Sequence, residues 1–141
     1  MAVRYLIKGV AIALVAAMPA ALMAAAVASG QQPSPAQLRS IFDKADQNND
    51  GHLDRLEFLS RQTEVFNFID ADTDAYLTAV EIRRHYPMMT QRDFEAADRD
   101  RDGKLSLDEF LRAASMDFHQ ADKDQNGKMN FEEFLASMQV K

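Results

Sequence analysis

Four segments of the chain carry oxygen-bearing side chains at the same spacing. Each has such residues at positions 1, 3, 5 and 9 and a Glu at position 12, and the segments begin at Asp46, Asp70, Asp98 and Asp122. Calcium is a hard cation that takes about six to eight oxygen ligands at about 2.3–2.6 Å, so a peptide loop must wrap around it. The spacing therefore predicts four cation-binding loops, named loops 1 to 4 and spanning residues 46–57, 70–81, 98–109 and 122–133.

The predicted ligands are the side chains at positions 1, 3, 5, 9 and 12 and the main-chain carbonyl at position 7, with position 9 acting directly or through water. They are Asp46, Asn48, Asp50, His52, Asp54 and Glu57 in loop 1; Asp70, Asp72, Asp74, Tyr76, Thr78 and Glu81 in loop 2; Asp98, Asp100, Asp102, Lys104, Ser106 and Glu109 in loop 3; and Asp122, Asp124, Asn126, Lys128, Asn130 and Glu133 in loop 4. Each segment resembles the EF-hand calcium loop, and four matches in one short chain are not expected by chance. The resemblance implies up to four bound Ca²⁺ ions.

Loop 2 departs from this pattern at position 6. The other loops have Gly51, Gly103 or Gly127 there, whereas loop 2 has Ala75. The sharp turn at position 6 needs a positive φ, which glycine adopts freely. Ala75 must either adopt that left-handed conformation, which costs an L-residue about 1–2 kcal/mol, or distort the turn. Since about 1.4 kcal/mol is tenfold in affinity, we expect loop 2 to bind calcium about tenfold more weakly than it would with glycine.

The spacers between loops predict which loops pair. Residues 58–69 and 110–121 contain no Gly or Pro, so each spacer is expected to form one continuous helix that holds its two loops about 24 Å apart. The spacer 82–97 differs, because Pro87 ends one helix and Thr90 with Asp93 resembles a capping box that begins the next. This helical hairpin brings loops 2 and 3 together and leaves loop 1 to pair with loop 4.

Apolar residues recur at fixed positions around the loops. Position 8 is Leu53, Leu77, Leu105 or Met129, and we expect Leu77 beside Leu105 and Leu53 beside Met129 on short strand pairings. Large apolar residues also stand four residues before each loop and directly after it: Phe42, Phe66, Phe94, Phe118, Phe58, Ile82, Phe110 and Phe134. This periodicity predicts an all-α fold in which short helices join the four calcium loops around a shared core. Core filling is also the favoured role of Met88, Met89, Met116, Met129 and Met138, the alternative being a groove exposed by calcium.

The first 28 residues are predicted to lie outside this domain. Arg4 and Lys8 precede an uncharged run from Val10 to Ala28 that ends in Ala-Val-Ala, which indicates a secretory signal peptide cleaved after Ala28. The run is also long enough to be an uncleaved membrane anchor. Residues 29–35 are then a linker and 36–141 the four-loop domain, exported to the periplasm or the extracellular space or anchored facing outside the cytoplasm.

Composition excludes several other functions. The formal net charge of −6 argues against nucleic-acid binding, which requires a basic face. The absence of cysteine excludes a disulfide scaffold, a thiolate zinc site and a thiol nucleophile. His52, His85 and His119 have no spacing for a zinc or catalytic site, and no nucleophile, base and orienting residue occur together outside the loops. The chain is therefore not expected to be an enzyme.

Export, four loops and 12-residue spacers together resemble the lanmodulin family of periplasmic lanthanide-binding EF-hand proteins. That resemblance implies pairing of loop 2 with loop 3 and of loop 1 with loop 4, and makes a lanthanide a possible ligand. The chain lacks the family's Pro at loop position 2, which is replaced by Gln47, Ala71, Arg99 and Lys123. The family's Asp at position 9 is kept only as Asp54. Because a trivalent ion gains more from each carboxylate than a divalent one, these replacements favour calcium.

The sequence thus predicts an exported calcium-binding EF-hand protein that acts as a sensor or a buffer. A lanthanide-binding protein and a membrane-tethered EF-hand interaction module are the alternatives. The partners that follow from the sequence are metal ions, with a membrane only if the N-terminal segment is retained, and the sequence names no protein partner.

Overall fold

A computed structural model describes residues 34–86 and 89–138, except for the side chain of Met138. The predicted signal segment 1–28, residues 29–33 of the predicted linker, Pro87 and Met88 lie outside the described residues. Helix α1 begins at Pro35, the last residue of the predicted linker, and Ser34 is its N-cap.

Helices and very short strands alternate along the described chain, so the fold class is all-α, as predicted. The elements are α1 Pro35–Ala45, β1 His52–Asp54, α2 Arg55–Ile69, β2 Tyr76–Thr78, α3 Ala79–His85, α4 Gln91–Ala97, β3 Lys104–Ser106, α5 Leu107–Ala121, β4 Lys128–Asn130 and α6 Phe131–Met138. Each loop begins at the end of one helix, ends in a three-residue strand and leads directly into the next helix.

Helix ends fix both ends of each loop. In loop 1 the Asp54 carboxylate accepts a hydrogen bond from the Glu57 N–H at 2.8 Å, and Glu57 Oε2 accepts one from the Asp54 N–H at 3.0 Å. This reciprocal capping box begins α2. At the other end of that helix the Asp70 N–H donates to the Phe66 carbonyl at 2.9 Å, so position 1 of loop 2 is the C-cap of α2. The ligand spacing is therefore set by where the helices begin and end.

The strands pair the loops as the spacers predicted. Strand β1 pairs antiparallel with β4, with Leu53 opposite Met129, and β2 pairs antiparallel with β3, with Leu77 opposite Leu105. Helices α2 and α5 each run unbroken for 15 residues, about 22 Å, and hold the two loop pairs apart. Thr90 and Asp93 form the predicted capping box at the start of α4.

Helices α2 and α5 pack antiparallel, with Phe58 against Phe118 and Phe66 against Phe110 at ring-centroid distances of 5.3 and 5.6 Å. A hydrophobic cluster lies beneath each loop pair, and together the two clusters bury the recurring apolar residues predicted to form the core. Met89 and Met129 are buried as predicted. Core filling is wrong for Met116, which is 62% exposed, while Met88 and the Met138 side chain are outside the described residues.

Among the residues that the structure describes, no helix is both long enough and apolar enough to cross a membrane.

Candidate metal centres

The side chains at positions 1, 3 and 12 converge in the loops. In loops 2, 3 and 4 three carboxylates meet, with one oxygen of each within 4.8 Å of the others: Asp70, Asp72 and Glu81; Asp98, Asp100 and Glu109; and Asp122, Asp124 and Glu133. Loop 1 has an amide oxygen at position 3, and Asn48 Oδ1 accepts a hydrogen bond from the Asp50 N–H at 2.8 Å. Asp72 accepts the equivalent bond in loop 2 at 3.2 Å. All four loops therefore hold position 3 in the same way.

The Asp at position 1 organises the turn of each loop. In loop 1 the two Asp46 oxygens accept hydrogen bonds from the N–H groups of Asp50 at 3.1 Å and Gly51 at 2.8 Å. In loop 2 the Asp70 carboxylate accepts the equivalent pair, from Asp74 and Ala75. Because the N–H groups of positions 5 and 6 donate to the position-1 carboxylate, hydrogen bonds within the loop are enough to close it.

The Glu at position 12 is held by the backbone on both sides of the loop. In loop 3, Glu109 Oε1 accepts hydrogen bonds from the Arg99 and Asp100 N–H groups, while Oε2 accepts from the Ser106 N–H. Burial raises the pKa of Glu109, but the hydrogen bonds from Ser106, Arg99 and Asp100 outweigh it and lower the pKa to about 2. Hydrogen bonds from Thr78, which outweigh burial, likewise lower the pKa of Glu81. These two carboxylates are therefore ionised and fixed in place at neutral pH.

In loops 1 and 2 the Asp at position 5 forms an ion pair with a lysine of the paired loop. Lys128 Nζ of loop 4 lies 2.7 Å from Asp50 Oδ2 of loop 1, and Lys104 Nζ of loop 3 lies 2.7 Å from Asp74 Oδ2 of loop 2. The lysine hydrogen bond is the main cause that lowers the pKa of Asp50 and of Asp74. Reasoning from single loops missed these ion pairs. The predicted strand pairing could have indicated them, because it places position 7 of one loop beside the paired loop.

The backbone of loop 2 adopts the conformation that glycine would adopt. Ala75 has a φ of +67°, close to the +80° of Gly51, so of the two predicted alternatives the structure shows the left-handed conformation. Position 4 is also left-handed, with Thr73 at +57°. A β-branched residue such as Thr73 is rare in the left-handed region. Loop 2 therefore has two residues, at positions 4 and 6, in backbone conformations that are unfavourable for them. The sequence argument had considered position 6 alone.

The remaining predicted ligands lie on the strands. The position-7 residues whose carbonyls are predicted ligands are the first residues of the strands: His52, Tyr76, Lys104 and Lys128. The position-9 side chains all accept a hydrogen bond from the position-12 N–H and so cap the following helix: Asp54, Thr78, Ser106 and Asn130. The Thr78 and Ser106 hydroxyls also donate to Glu81 and Glu109, each at 2.7 Å.

The chemistry of this donor set fits a calcium ion. The converging side chains offer only carboxylate, amide and hydroxyl oxygens, and these hard donors suit a hard cation. A family model described as EF hand matches residues 38–60, 92–114 and 116–138, which contain loops 1, 3 and 4. The fold is an EF-hand fold. Loop 2 lies outside the matched ranges, yet it has the same helix–loop–strand–helix order as the other three EF-hand loops.

EF-hand calcium-binding proteins are generally not enzymes, and the absence of enzymatic activity in this chain stays a prediction. Two of the histidines have local contacts in the structure: the His85 ring lies 4.9 Å from the Phe68 ring, and His52 Nδ1 lies 3.1 Å from the Asp50 carbonyl oxygen.

Proposed function

We propose that this chain is an exported calcium-binding protein that acts as a calcium sensor or buffer. The observation that carries the proposal is the convergence of position-1, position-3 and position-12 oxygens inside backbone-closed loops. Fifteen of the 22 acidic residues occupy predicted ligand positions, so the acidity of the chain is concentrated at these loops. Carboxylate-rich loops of this kind bind calcium with affinities set by ligand charge and rigidity.

Isothermal titration of the metal-free protein with calcium tests this function. The protein is purified from cells that express the full chain with its own N-terminal segment. We expect up to four sites, with one class weaker because of loop 2. Replacement of the four position-12 glutamates by Gln gives the matched control, in which binding is expected to be lost. An unmodified protein that shows no calcium binding would contradict the proposal.

A lanthanide is the second candidate ligand. The observed strand pairing, loop 2 with loop 3 and loop 1 with loop 4, is the pairing that resemblance to the lanmodulin family implies. Competition between calcium and lanthanum, followed by circular dichroism, separates the two ions. A response to picomolar lanthanum without any response to calcium would favour the lanthanide.

Export and anchoring are tested by the mass of the purified protein. A mature chain beginning at Ser29 is expected if the N-terminal segment is a cleaved signal peptide. An intact N-terminus in the membrane fraction would instead favour the alternative of a tethered EF-hand interaction module.

A hydrophobic dye distinguishes a sensor from a buffer. Leu56, Val80 and Met116 are 76%, 62% and 62% exposed, which sets a measurable baseline of apolar surface. Calcium opens sensor EF-hands and exposes further apolar surface, whereas buffers barely open. A calcium-dependent rise in dye fluorescence therefore indicates a sensor, and unchanged fluorescence indicates a buffer.

A further inference from the structure

Each loop pair contains one lysine that reaches across the short sheet to the opposite loop. Lys104 begins strand β3, and its main-chain carbonyl is a predicted ligand of loop 3, but its side chain lies against Asp74 of loop 2. Lys128 relates to loop 4 and Asp50 of loop 1 in the same way. Each lysine therefore belongs to one cation site through its backbone and contacts the other through its ammonium group.

The ammonium group is hydrogen-bonded to a carboxylate oxygen of a predicted ligand. Asp74 Oδ2 is 2.7 Å from Lys104 Nζ, and Asp74 is the predicted position-5 ligand of loop 2. A cation bound to that carboxylate must either displace the lysine or share the carboxylate with a like charge a few ångströms away. Both outcomes weaken binding, by Coulomb's law. The lysine is thus placed as an internal competitor for the cation.

The competition runs in one direction within each pair. Position 7 is Lys in loops 3 and 4, but it is Tyr76 in loop 2 and His52 in loop 1. Lys104 also lies 5.2 Å from the centre of the Tyr76 ring, a cation–π contact that helps to hold the ammonium beside Asp74. Loops 3 and 4 therefore place a lysine ammonium group against a carboxylate of the paired loop, and loops 1 and 2 have no lysine at position 7 to do the same.

We infer that Lys104 and Lys128 set the metal affinity and the ion selectivity of loops 2 and 1. The inference rests on the proposed function, cation binding by these loops. Each lysine lowers the affinity of the opposite loop, and lowers it more for a trivalent ion than for a divalent one, because the repulsion grows with the charge of the bound ion. The two lysines thus bias loops 1 and 2 against trivalent ions.

The position-6 amides allow the four loops to be followed separately. Each of these N–H groups donates to the position-1 carboxylate of its own loop, at 2.8 Å from Gly51, 3.0 Å from Ala75, 2.9 Å from Gly103 and 2.9 Å from Gly127. A cation on that carboxylate polarises the hydrogen bond and shifts the amide resonance. Calcium titrations followed by NMR at these four amides therefore give one midpoint for each loop.

Substitution of the lysines by Met keeps the aliphatic stem and removes the charge. We expect Lys104→Met to lower the calcium midpoint of the Ala75 amide about two- to fivefold, the range typical of an exposed ion pair, without changing that of Gly51. Lys128→Met is expected to do the reverse. With lanthanum the effect is larger, so that a fourfold gain for calcium corresponds to about eightfold.

Two further variants control for general effects of charge. Lys44→Met removes the same charge from an exposed position on α1 and is expected not to lower the Ala75 midpoint relative to the other three. Lys104→Arg keeps the charge and is expected to retain a midpoint close to that of the unmodified protein. Far-UV circular dichroism checks that each variant folds.

The outcomes distinguish this inference from the proposed function. If Lys104→Met leaves the Ala75 midpoint unchanged, or shifts all four amides equally, the inference is wrong although the loops bind calcium. If neither calcium nor lanthanum shifts any of the four amides in the unmodified protein, both the proposed function and the inference are wrong.

Discussion

The two halves of the molecule have the same framework but differ in chemistry. Residues 52–78 contain β1, α2 and β2, and residues 104–130 contain β3, α5 and β4 with the same lengths and an offset of 52 residues. The shared framework comes from matching helix caps and core positions. The halves differ at several equivalent positions, among them Ala75 and Gly127, Tyr76 and Lys128, and Val65 and Asp117. The matching caps and core positions therefore give both halves the same loop geometry, and the differing residues are where we expect binding and stability to diverge.

The largest expected effect tests whether the halves are equivalent. Phe58 and Phe110 are 52 residues apart, and each is buried against a phenylalanine of the opposite long helix. We expect Phe58→Ala and Phe110→Ala each to lower the free energy of unfolding by about 3–5 kcal/mol. Urea denaturation at a fixed calcium concentration measures both. If the loss in free energy of unfolding for one variant is less than half of that for the other, the two ends of the domain are not equivalent in energy.

The next effect concerns Asp117, a buried acidic residue of the second half outside the loops. Asp117 on α5 is 6% exposed, and its Oδ2 accepts no hydrogen bond from the described residues. Burial raises its pKa to about 8. Between the unfolded pKa of about 3.9 and this value the folded state binds the extra proton, so the free energy of unfolding falls as the pH rises.

Exchange of Asp117 for the residue at the equivalent position of the first half tests this cost. We expect Asp117→Val to raise the free energy of unfolding by about 1–3 kcal/mol at pH 9, and by less at pH 5, where less of the cost is present. Denaturation of both proteins at several pH values measures the difference, and Asp117→Asn serves as the isosteric control. A gain of equal size at pH 5 and pH 9 would show that Asp117 does not titrate in this range.

A reciprocal exchange at position 6 sharpens the comparison of loops 2 and 4. We expect Ala75→Gly to strengthen calcium binding at loop 2 about tenfold, because glycine adopts the positive φ without strain. Gly127→Ala is expected to weaken loop 4 by about the same factor. An added Cβ at residue 127 would meet no atom within 4 Å, so only the backbone strain at φ +82° changes. Loop-resolved NMR titration checks both, and equal affinities before and after exchange would contradict the argument.

The smallest effect is expected at position 4. Thr73→Asn places a residue that tolerates the left-handed region where a β-branched one now stands, and about a threefold gain in loop 2 affinity is expected. Gln125→Asn at the equivalent position of loop 4 is the matched control, with a smaller gain, because Gln is not β-branched. The same titration measures both, and an effect larger at 125 than at 73 would count against the interpretation.

The local architecture could be predicted because its determinants are local. Oxygen ligands at fixed spacing defined the loops, and the absence of Gly and Pro between Glu57 and Asp70 predicted the continuous helix α2, which is confirmed. That helix is too long for its two loops to meet, so the pairing followed from geometry and is also confirmed. The need for a sharp turn limited Ala75 to a left-handed conformation or a distorted turn, and the structure shows the first.

Contacts between separate elements could not be predicted in the same way. Lys104 reaches Asp74 over 30 residues of sequence, and Asp117 is buried on α5, a helix that packs against α2 and other elements. The number of methionines favoured core filling but says nothing about the surroundings of any one of them, so Met116 was wrongly expected in the core.

The sequence by itself therefore determined the four loops and their pairing, because helix caps and loop turns depend on residues a few positions apart; the ligands of the loops stay a prediction. Only the tertiary structure decided which charges meet across the paired loops and which polar group loses its water, because those contacts depend on how whole helices pack.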